Sequence, residues 1–466
     1  MPDLIVQLAK TIDNRLKTIG CARPSFSILK LLLQTAYHAT LRTEEGRFIQ
    51  SSITYAHPNP QPEDGPATRR ADYPGLWALG RHVPLNVERL VKLARAIDMW
   101  SGSIGVYGSK AKSLYIWGVV DQLVQSNVSL NLEGERGFHN PGVLYITMDG
   151  VGDLTIYHQG IFLGGLRGHN LLIQERDALG TWIVGERILP HLERPAKAIQ
   201  LALKLKATQV GNLTIAWINT IYRLCIGLRR YGTGGTLLIT PSPRFDHLDI
   251  GYKFNYERLG DAMILNVLDQ EYLRVCESQM RAHYTAGTIP YLAAMESSFA
   301  ETDAQDRQSE LTSAVKLVTS LASVDGLVLL SPLLQVKGFG VKIKTGGHVG
   351  TVYDGAAFQT RGTRAKKIAA SRFGTRHNSV LRYCRLDKNA IGVVISQDGN
   401  VRIAMSTGRS LVLWDNVKLQ GYSPYSRHSI RLVQDWARRH ERTKRPTFGF
   451  TDTPKTVKAL LRALHD

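Results

Sequence analysis

The chain has 466 residues, 43% of them hydrophobic, and a formal net charge of +19 from 58 Lys and Arg against 39 Asp and Glu. That length exceeds one ordinary domain and suggests two or three, while the charge draws polyanions (nucleotides, nucleic acid, anionic membrane) without choosing among them. No apolar run approaches the ~18 residues needed to cross a bilayer, and no apolar core with a cleavage site follows Met1, so the chain reads as soluble and cytoplasmic, with no membrane partner.

Four scattered cysteines, Cys21, Cys225, Cys276 and Cys384, show neither Cys-x-x-Cys spacing nor a disulfide framework. The 14 histidines form no His-Glu-x-x-His pattern.

From Asp3 to about Tyr37, apolar residues at Leu4, Ile5, Leu8, Ile12, Leu16 and Ile19 predict helix. A Pro-rich loop follows from His57 through Pro62 to Pro74. Val87 to Met99 predicts an amphipathic helix. Gly102 to Lys110 hints at a phosphate loop, but Ser109 separates Gly108 from Lys110 and breaks the Gly-Lys-Ser/Thr order such a loop needs. Strand runs come next at Val143–Thr147, Leu154–Tyr157, Ile161–Leu163 and Leu171–Ile173, with Asp149-Gly150 and Gly160 as turns. Residues 1–185 thus form an expected α+β domain.

Residues 186–234 read as a helical connector, with Leu201, Leu203, Leu205, Ile215, Ile218, Ile221 and Leu224 in a helical pattern. Gly232 to Gly235 reads as a flexible turn before the strand Leu237–Ile239. A helical face of Leu311, Val315, Val318 and Ala322 precedes Asp325-Gly326, which opens the strand run Leu327–Leu330. Further on, Gly374-Thr375-Arg376-His377-Asn378-Ser379 opens a helical pattern of Val380, Leu381 and Cys384. Strand runs at 391–395, 401–404 and 411–414 complete a mixed α/β domain over 235–420. The tail, 421–466, is basic, with Arg438, Arg439, Arg442, Lys444 and Arg445, and ends in a short helical pattern from Val457 to Leu464. Such a run is more often a solvated face than a nucleic-acid grip, so nucleic acid is a less favoured partner.

A basic, hydroxyl-bearing turn at a helix start suits phosphate, because free backbone N–H groups and the helix dipole both favour anions. The plainer alternative is an ordinary helix start capped by Thr375. A carboxylate at a neighbouring strand edge, Asp325, can supply a metal ligand or a proton acceptor. Phosphate chemistry on a nucleotide is the first expectation.

At these residues the chain resembles the diadenylate cyclase domain of the DisA-type enzymes. That family carries Asp-Gly-Ala at a strand and Arg-His-Arg preceded by Gly-Thr; here stand Asp325-Gly326-Leu327 and Gly374-Thr375-Arg376-His377-Asn378. Gly338-Phe339-Gly340-Val341-Lys342-Ile343 resembles the strand beside the adenine, and Val394-Ile395-Ser396-Gln397-Asp398-Gly399 the strand ending in Ser-Glu-Glu or Ser-Gln. The order is the family's, over roughly 235–420. The N-terminal region resembles the probable sensor domain of the DACNV type. The resemblance implies an α/β chain: an α+β sensor domain before a mixed-sheet, helix-flanked cyclase-like domain.

It also implies a nucleotidyltransferase that joins two ATP into cyclic di-AMP, each 3′-hydroxyl attacking the other's α-phosphate as pyrophosphate leaves. Two facing sites, hence a homo-oligomer, and Mg²⁺ or Mn²⁺ are implied as well. Asp325 would assist the 3′-hydroxyl or hold the metal, and Arg376 and His377 would contact the phosphates. Thr375 and Ser379 would donate hydroxyl hydrogen bonds, Val341 and Ser396 would lie near the nucleoside, and Gly326, Leu327, Gly340, Gly374, Asn378 and Gln397 would complete the nucleotide-binding set.

Two departures matter: Asn378 replaces the second Arg and Leu327 replaces Ala. A lost charged donor to phosphate costs about 1.5–3 kcal/mol, one to two orders of magnitude in rate. Lys342, Lys344 and Arg372 are candidates to restore the charge. The second expectation is therefore a cyclase-type fold kept as a nucleotide sensor without turnover, favoured by Asn378. The third is a nucleic-acid binder, which would show steep salt dependence.

Overall fold

The computed structural model describes residues 2–21, 23–58, 76–97, 102–108, 113–121, 144–158, 161–168, 170–174, 176–205, 210–232, 234–285, 291–358, 366–397, 399–407 and 410–419. Most of the Pro-rich loop, Ser109-Lys110, Gly160, Asp398 and the 421–466 tail with its helical pattern lie outside the described residues. Two compact units meet the eye, divided between residues 174 and 176.

In the first unit, α1 (Pro2–Ile19) and α2 (Phe26–Thr40) replace the single helical run expected from sequence. Gly20, at φ +75, ends α1 in the left-handed conformation that glycine accepts most readily. Ser25 then caps α2 by accepting from the Ile28 N–H. Four residues of the predicted stripe, Ile5, Leu8, Ile12 and Leu16, are buried, whereas Leu4 is half-buried and Ile19 is exposed at the helix end. The helix from Val87, α3, stops at Ala94 rather than Met99.

After a small hairpin of β1 (Thr43–Glu44) and β2 (Arg47–Phe48) comes an eight-stranded sheet. Its members are β3 (Ser51–Tyr55), β4 (Leu76–Pro84), β5 (Gly102–Gly108), β6 (Leu114–Asp121), β7 (Leu144–Gly150), β8 (Asp153–His158), β9 (Ile161–Arg167) and β10 (Asn170–Leu172), in the order β10-β9-β8-β7-β3-β5-β6-β4. Only β3 and β5 pair in parallel. The stretch that hinted at a phosphate loop is β5, laddered on both sides to β3 and β6. Helices α1 to α3 cover one face through Ile53, Ile104, Val106, Ile146, Met148, Leu154 and Ile156. Strand alternation turns Ser52, Thr54, Ser103, Thr147 and Thr155, all buried, to the other. Gly150 ends β7 and the turn itself falls at Val151-Gly152, two residues beyond the expected Asp149-Gly150.

The second unit starts at Arg176, ahead of the expected boundary at 185. Arg176 bridges to Val417 along the backbone, and its Nη2 lies 3.2 Å from Asp354 Oδ2. Helices α4 (Trp182–Ala202) and α5 (Val210–Tyr231) are not a connector. Their Ile188, Leu192, Ile199, Trp217, Ile221 and Leu228 share one core with sheet residues Leu237, Ile239, Val328, Leu330, Ile391, Val393 and Ile395. A stripe read as the spine of a linker is thus the helical layer of the domain. Also in this unit are β11 (Gly235–Ile239), β12 (Leu248–Tyr252), α6 (Arg258–Thr285), α7 (Tyr291–Leu321), β13 (Leu327–Leu330), β14 (Val336–Ile343), β15 (Val352–Asp354), β16 (Lys367–Ile368), α8 (Thr375–Leu386), β17 (Ile391–Ile395), β18 (Val401–Ser406) and β19 (Leu411–Trp414).

The nine strands run β12-β14-β13-β11-β17-β18-β19-β15-β16, with parallel pairing at β11–β13 and β15–β19. Helix α8 covers the opposite face: Val380, Leu381 and Cys384 pack with Leu238, Leu327, Leu329, Val341, Val394 and Ala404. Gly392 permits this approach, because a Cβ there would run into Val380. The chain is therefore mixed α/β in both units. Among the described residues no helix is long and apolar enough to cross a membrane.

Candidate functional site

Sheet register brings the separated motifs of the second unit to one end of the sheet. Leu237 of β11 pairs with Val328 of β13, and Gly235 of β11 pairs with Ile395 of β17. Followed two residues back, the first register sets Gly326 beside Gly235. Gly326 and Ile395 are then two strand spacings apart, about 10 Å. Asp325, exposed, precedes this point on one side; Ser396 and Gln397 follow it on the other.

Two glycines shape the floor below Asp325. Gly326 has φ +119, and a Cβ there would meet the Gly340 carbonyl carbon at 2.6 Å and the Val341 nitrogen at 2.9 Å. Gly340 has φ +61 and lies against the Tyr252 ring, 3.1 Å from where its Cβ would stand. Tyr252 is exposed and stacks on Phe339, with ring centroids 4.7 Å apart and planes 16° from parallel. A flat aromatic surface therefore borders the glycine floor.

Helix α8 begins on Gly374, an N-cap with extended backbone and no side-chain capping bond. The first intrahelical bond is from Asn378 N to Gly374 O, 3.1 Å, so the N–H groups of Thr375, Arg376 and His377 come before it. Thr375 is the first helical residue rather than the cap. The Ser379 hydroxyl donates back to Arg376 O at 2.9 Å, and Asn378 Nδ2 donates back to Phe373 O at 2.7 Å. Asn378 Oδ1 is buried and has no partner among the described residues. The Asn378 side chain is thus turned into the helix start.

Arg376 is exposed, and its Nη1 lies 2.9 Å from where a Cβ on Gly234 would be. The same position is 2.7 Å from Ile395 O and 3.2 Å from Gln397 N. The guanidinium therefore reaches across the start of β11 to the Ile395–Gln397 turn. Gly234, at φ +67, is a close-packing position here and not merely a flexible turn.

His377 is half-buried, and its Nε2 is 3.0 Å from Arg402 Nη1. An arginine can only donate, so Nε2 accepts, and the ring proton is assigned to Nδ1. Arg402 Nη1 also donates to Ser396 Oγ at 3.3 Å. Arg402 Nε lies 2.8 Å from Asp415 Oδ1, an ion pair whose N–H is angled off the oxygen rather than a straight hydrogen bond. Asp415 also accepts from Asn400 Nδ2 at 2.9 Å and Asn416 N at 3.1 Å. The Phe373 ring lies under the guanidinium, 5.4 Å from its carbon. A third cation, Arg229, stands 3.2 Å from the Cβ position of Gly399, in the hairpin between β17 and β18.

The site thus gathers Asp325, Gly326, Gly340, Gly374, Thr375, Arg376, His377, Ser396 and Gln397. Leu327 and Val341 are at the same end, but their side chains are buried at 4% and 1% exposure in the core beneath α8. At this end of the sheet they therefore offer backbone rather than side chain to a ligand. Among the proposed substitutes for the missing charge, Lys344 is paired with Asp249 at 3.4 Å, while Lys342 and Arg372 are exposed. Behind the helix, burial pushes the Cys384 thiol up to about 12, which marks it as a packing residue.

Sequence reasoning missed Gly234, Arg229 and Arg402. Gly234 carried a signal in its glycine cluster. Arg402, alternating with Val401 and Ile403, looks like the solvent side of an edge strand until the pairing of Arg402 with Val394 places it.

Among the described residues no group of three or more His, Cys, Asp or Glu side chains could hold a metal. A lone carboxylate is nevertheless a fit for Mg²⁺, which is commonly held by one or two carboxylates together with substrate phosphates.

These features define a two-unit α/β protein whose second unit concentrates arginines around a helix start at a sheet end. Residues 21–121, from the segment before α2 to the end of β6, match the family model described as "Probable sensor domain DACNV", so this part of the first unit is similar to a sensor domain. No curated protein and no solved structure matches the chain.

Proposed function

We propose that the second unit is a nucleotide-binding domain of diadenylate cyclase type, condensing two ATP into cyclic di-AMP under the control of the first unit as its sensor. One observation carries this reading: Asp325-Gly326, Gly340, the Arg376–His377 helix start and Ser396-Gln397 converge at one end of one sheet. The sensor-domain match in the same chain supports it.

In this reading the N–H groups at the start of α8 and the Arg376 fork hold the triphosphate. The glycine floor with Tyr252 and Phe339 receives the flat base. Asp325 orients the 3′-hydroxyl and accepts its proton as the oxygen attacks the α-phosphate of the second ATP; pyrophosphate departs with the bonding electron pair. Asp325 is also the residue that would hold Mg²⁺ or Mn²⁺, which when bound supplies charge neutralisation on the phosphates. Each subunit contributes one ATP, so catalysis requires a homo-oligomer with facing sites.

Incubation of the purified chain with ATP and Mn²⁺, followed by mass spectrometry, tests this. Cyclic di-AMP is expected, and Asp325→Asn removes it. Absence of product from folded protein with either metal would refute turnover. The second reading, a nucleotide sensor without catalysis, is favoured by the inward turn of Asn378; calorimetric ATP binding without product would select it.

A further inference from the structure

We propose that Arg402, on β18, supplies the second phosphate-binding guanidinium of this site, from a strand instead of from the helix. The inference rests on reading the sheet end as a triphosphate site. Asn378 is committed to Phe373 O at 2.7 Å and offers no charge to a ligand. Arg402 stands one side chain away, because its Nη1 touches both His377 Nε2 and Ser396 Oγ. His377 follows Arg376 at the start of α8, and Ser396 belongs to the turn that Arg376 reaches. Among the described residues Nη2 of Arg402 makes no hydrogen bond, so two N–H donors remain for a ligand.

The guanidinium is also held in advance. It is 14% exposed, lies over Phe373 and faces Asp415, which is fixed by Asn400 and the Asn416 N–H. A cation fixed before binding loses little rotamer freedom when the ligand arrives. Among the described residues nothing holds exposed Lys342 or Arg372 in this way. Arg402 also sets the chemistry of His377: as a donor-only partner it keeps the Nε2 lone pair occupied.

The test is the affinity of the full chain, with Mg²⁺, for ATP by calorimetry and for adenosine by ligand-observed NMR, which detects millimolar binding. Arg402→Gln should weaken ATP by roughly 10–100-fold, the span expected for one charge-assisted contact, and leave adenosine within about twofold. Arg402→Lys, which keeps the charge without the planar fork, should fall between. Asn378→Arg placed on Arg402→Gln should recover part of the ATP affinity. Equal weakening of ATP and adenosine would mean a structural role and overturn the inference, as would unchanged ATP affinity. If Arg402→Gln does not fold, the ratio measured on Arg402→Lys decides the matter in the same way. A wild-type chain that binds neither ligand sinks the site reading and this inference together; wild-type ATP binding with an indifferent Arg402→Gln sinks this inference alone.

Discussion

Gly234 is where a single hydrogen-to-methyl change reaches the site. Its φ of +67 is the left-handed region, and an added Cβ would meet Ile395 O at 2.7 Å and Arg376 Nη1 at 2.9 Å. The left-handed backbone alone costs a non-glycine residue about 1–2 kcal/mol. Gly234→Ala is therefore expected to lower unfolding stability by at least ~1 kcal/mol in urea titration and to weaken ATP binding by displacing Arg376. A variant with wild-type stability and affinity would show that Arg376 does not depend on this approach. Asn378 poses a complementary case. Its amide ties Phe373 O to the helix start, so Asn378→Ala should cost about 1 kcal/mol, the net worth of one hydrogen bond, and loosen the Phe373 platform under Arg402.

The elements differ in how much of themselves they disclosed in advance. The strands Leu327–Leu330, Ile391–Ile395 and Leu411–Trp414 were legible to the residue, because short β-branched and leucine-rich runs with Gly, Asn, Asp or Ser close to each end leave little choice. Helix α6 was not legible. Ala262, Met263, Ile264, Leu265, Val267 and Leu268 are all buried, so its start has no polar stripe to alternate with. Strand β12 was missed because it is a short, largely exposed edge strand carrying Asp249 and Gly251. The two site motifs were legible as residue strings; their meeting was not, since it depends on β11 pairing with β13 on one side and β17 on the other.

The seat of α8 on the sheet gives an element-scale prediction. Gly392→Ala would push a methyl into Val380. Overpacking of that kind costs about 1–3 kcal/mol, and here it should also lift the helix start, lowering ATP affinity more than substitution of any exposed residue on the far face. Thermal melting and calorimetry on one preparation separate the two effects; a melt shifted without any change in affinity would place α8 outside the ligand site.

For the whole molecule, cysteine burial makes stability depend on alkaline pH. Burial pushes the thiols of Cys225 and Cys384 from their usual 9.0 up to about 12. The folded state thus keeps protons that the unfolded chain releases above its ordinary thiol value. Their stabilisation is complete below that value and is lost as pH rises, by about 1.4 kcal/mol per pH unit for each thiol until about pH 12. Urea midpoints at pH 8 and pH 10 measure it, and a flat profile would show that the thiols are hydrated.

At the same scale the proposed reaction requires two facing sites, so sedimentation of the active protein should give a dimer or larger species; activity from a strict monomer would exclude this chemistry. The most direct test of the central claim is a crystal structure of the full chain with Mg²⁺ and a non-hydrolysable ATP analogue. The account predicts phosphates on the N–H groups of Thr375 to His377 and on the Arg376 guanidinium, with the base over Gly340 and Asp325 beside the ribose. An analogue bound elsewhere, or phosphates turned away from the start of α8, would contradict it.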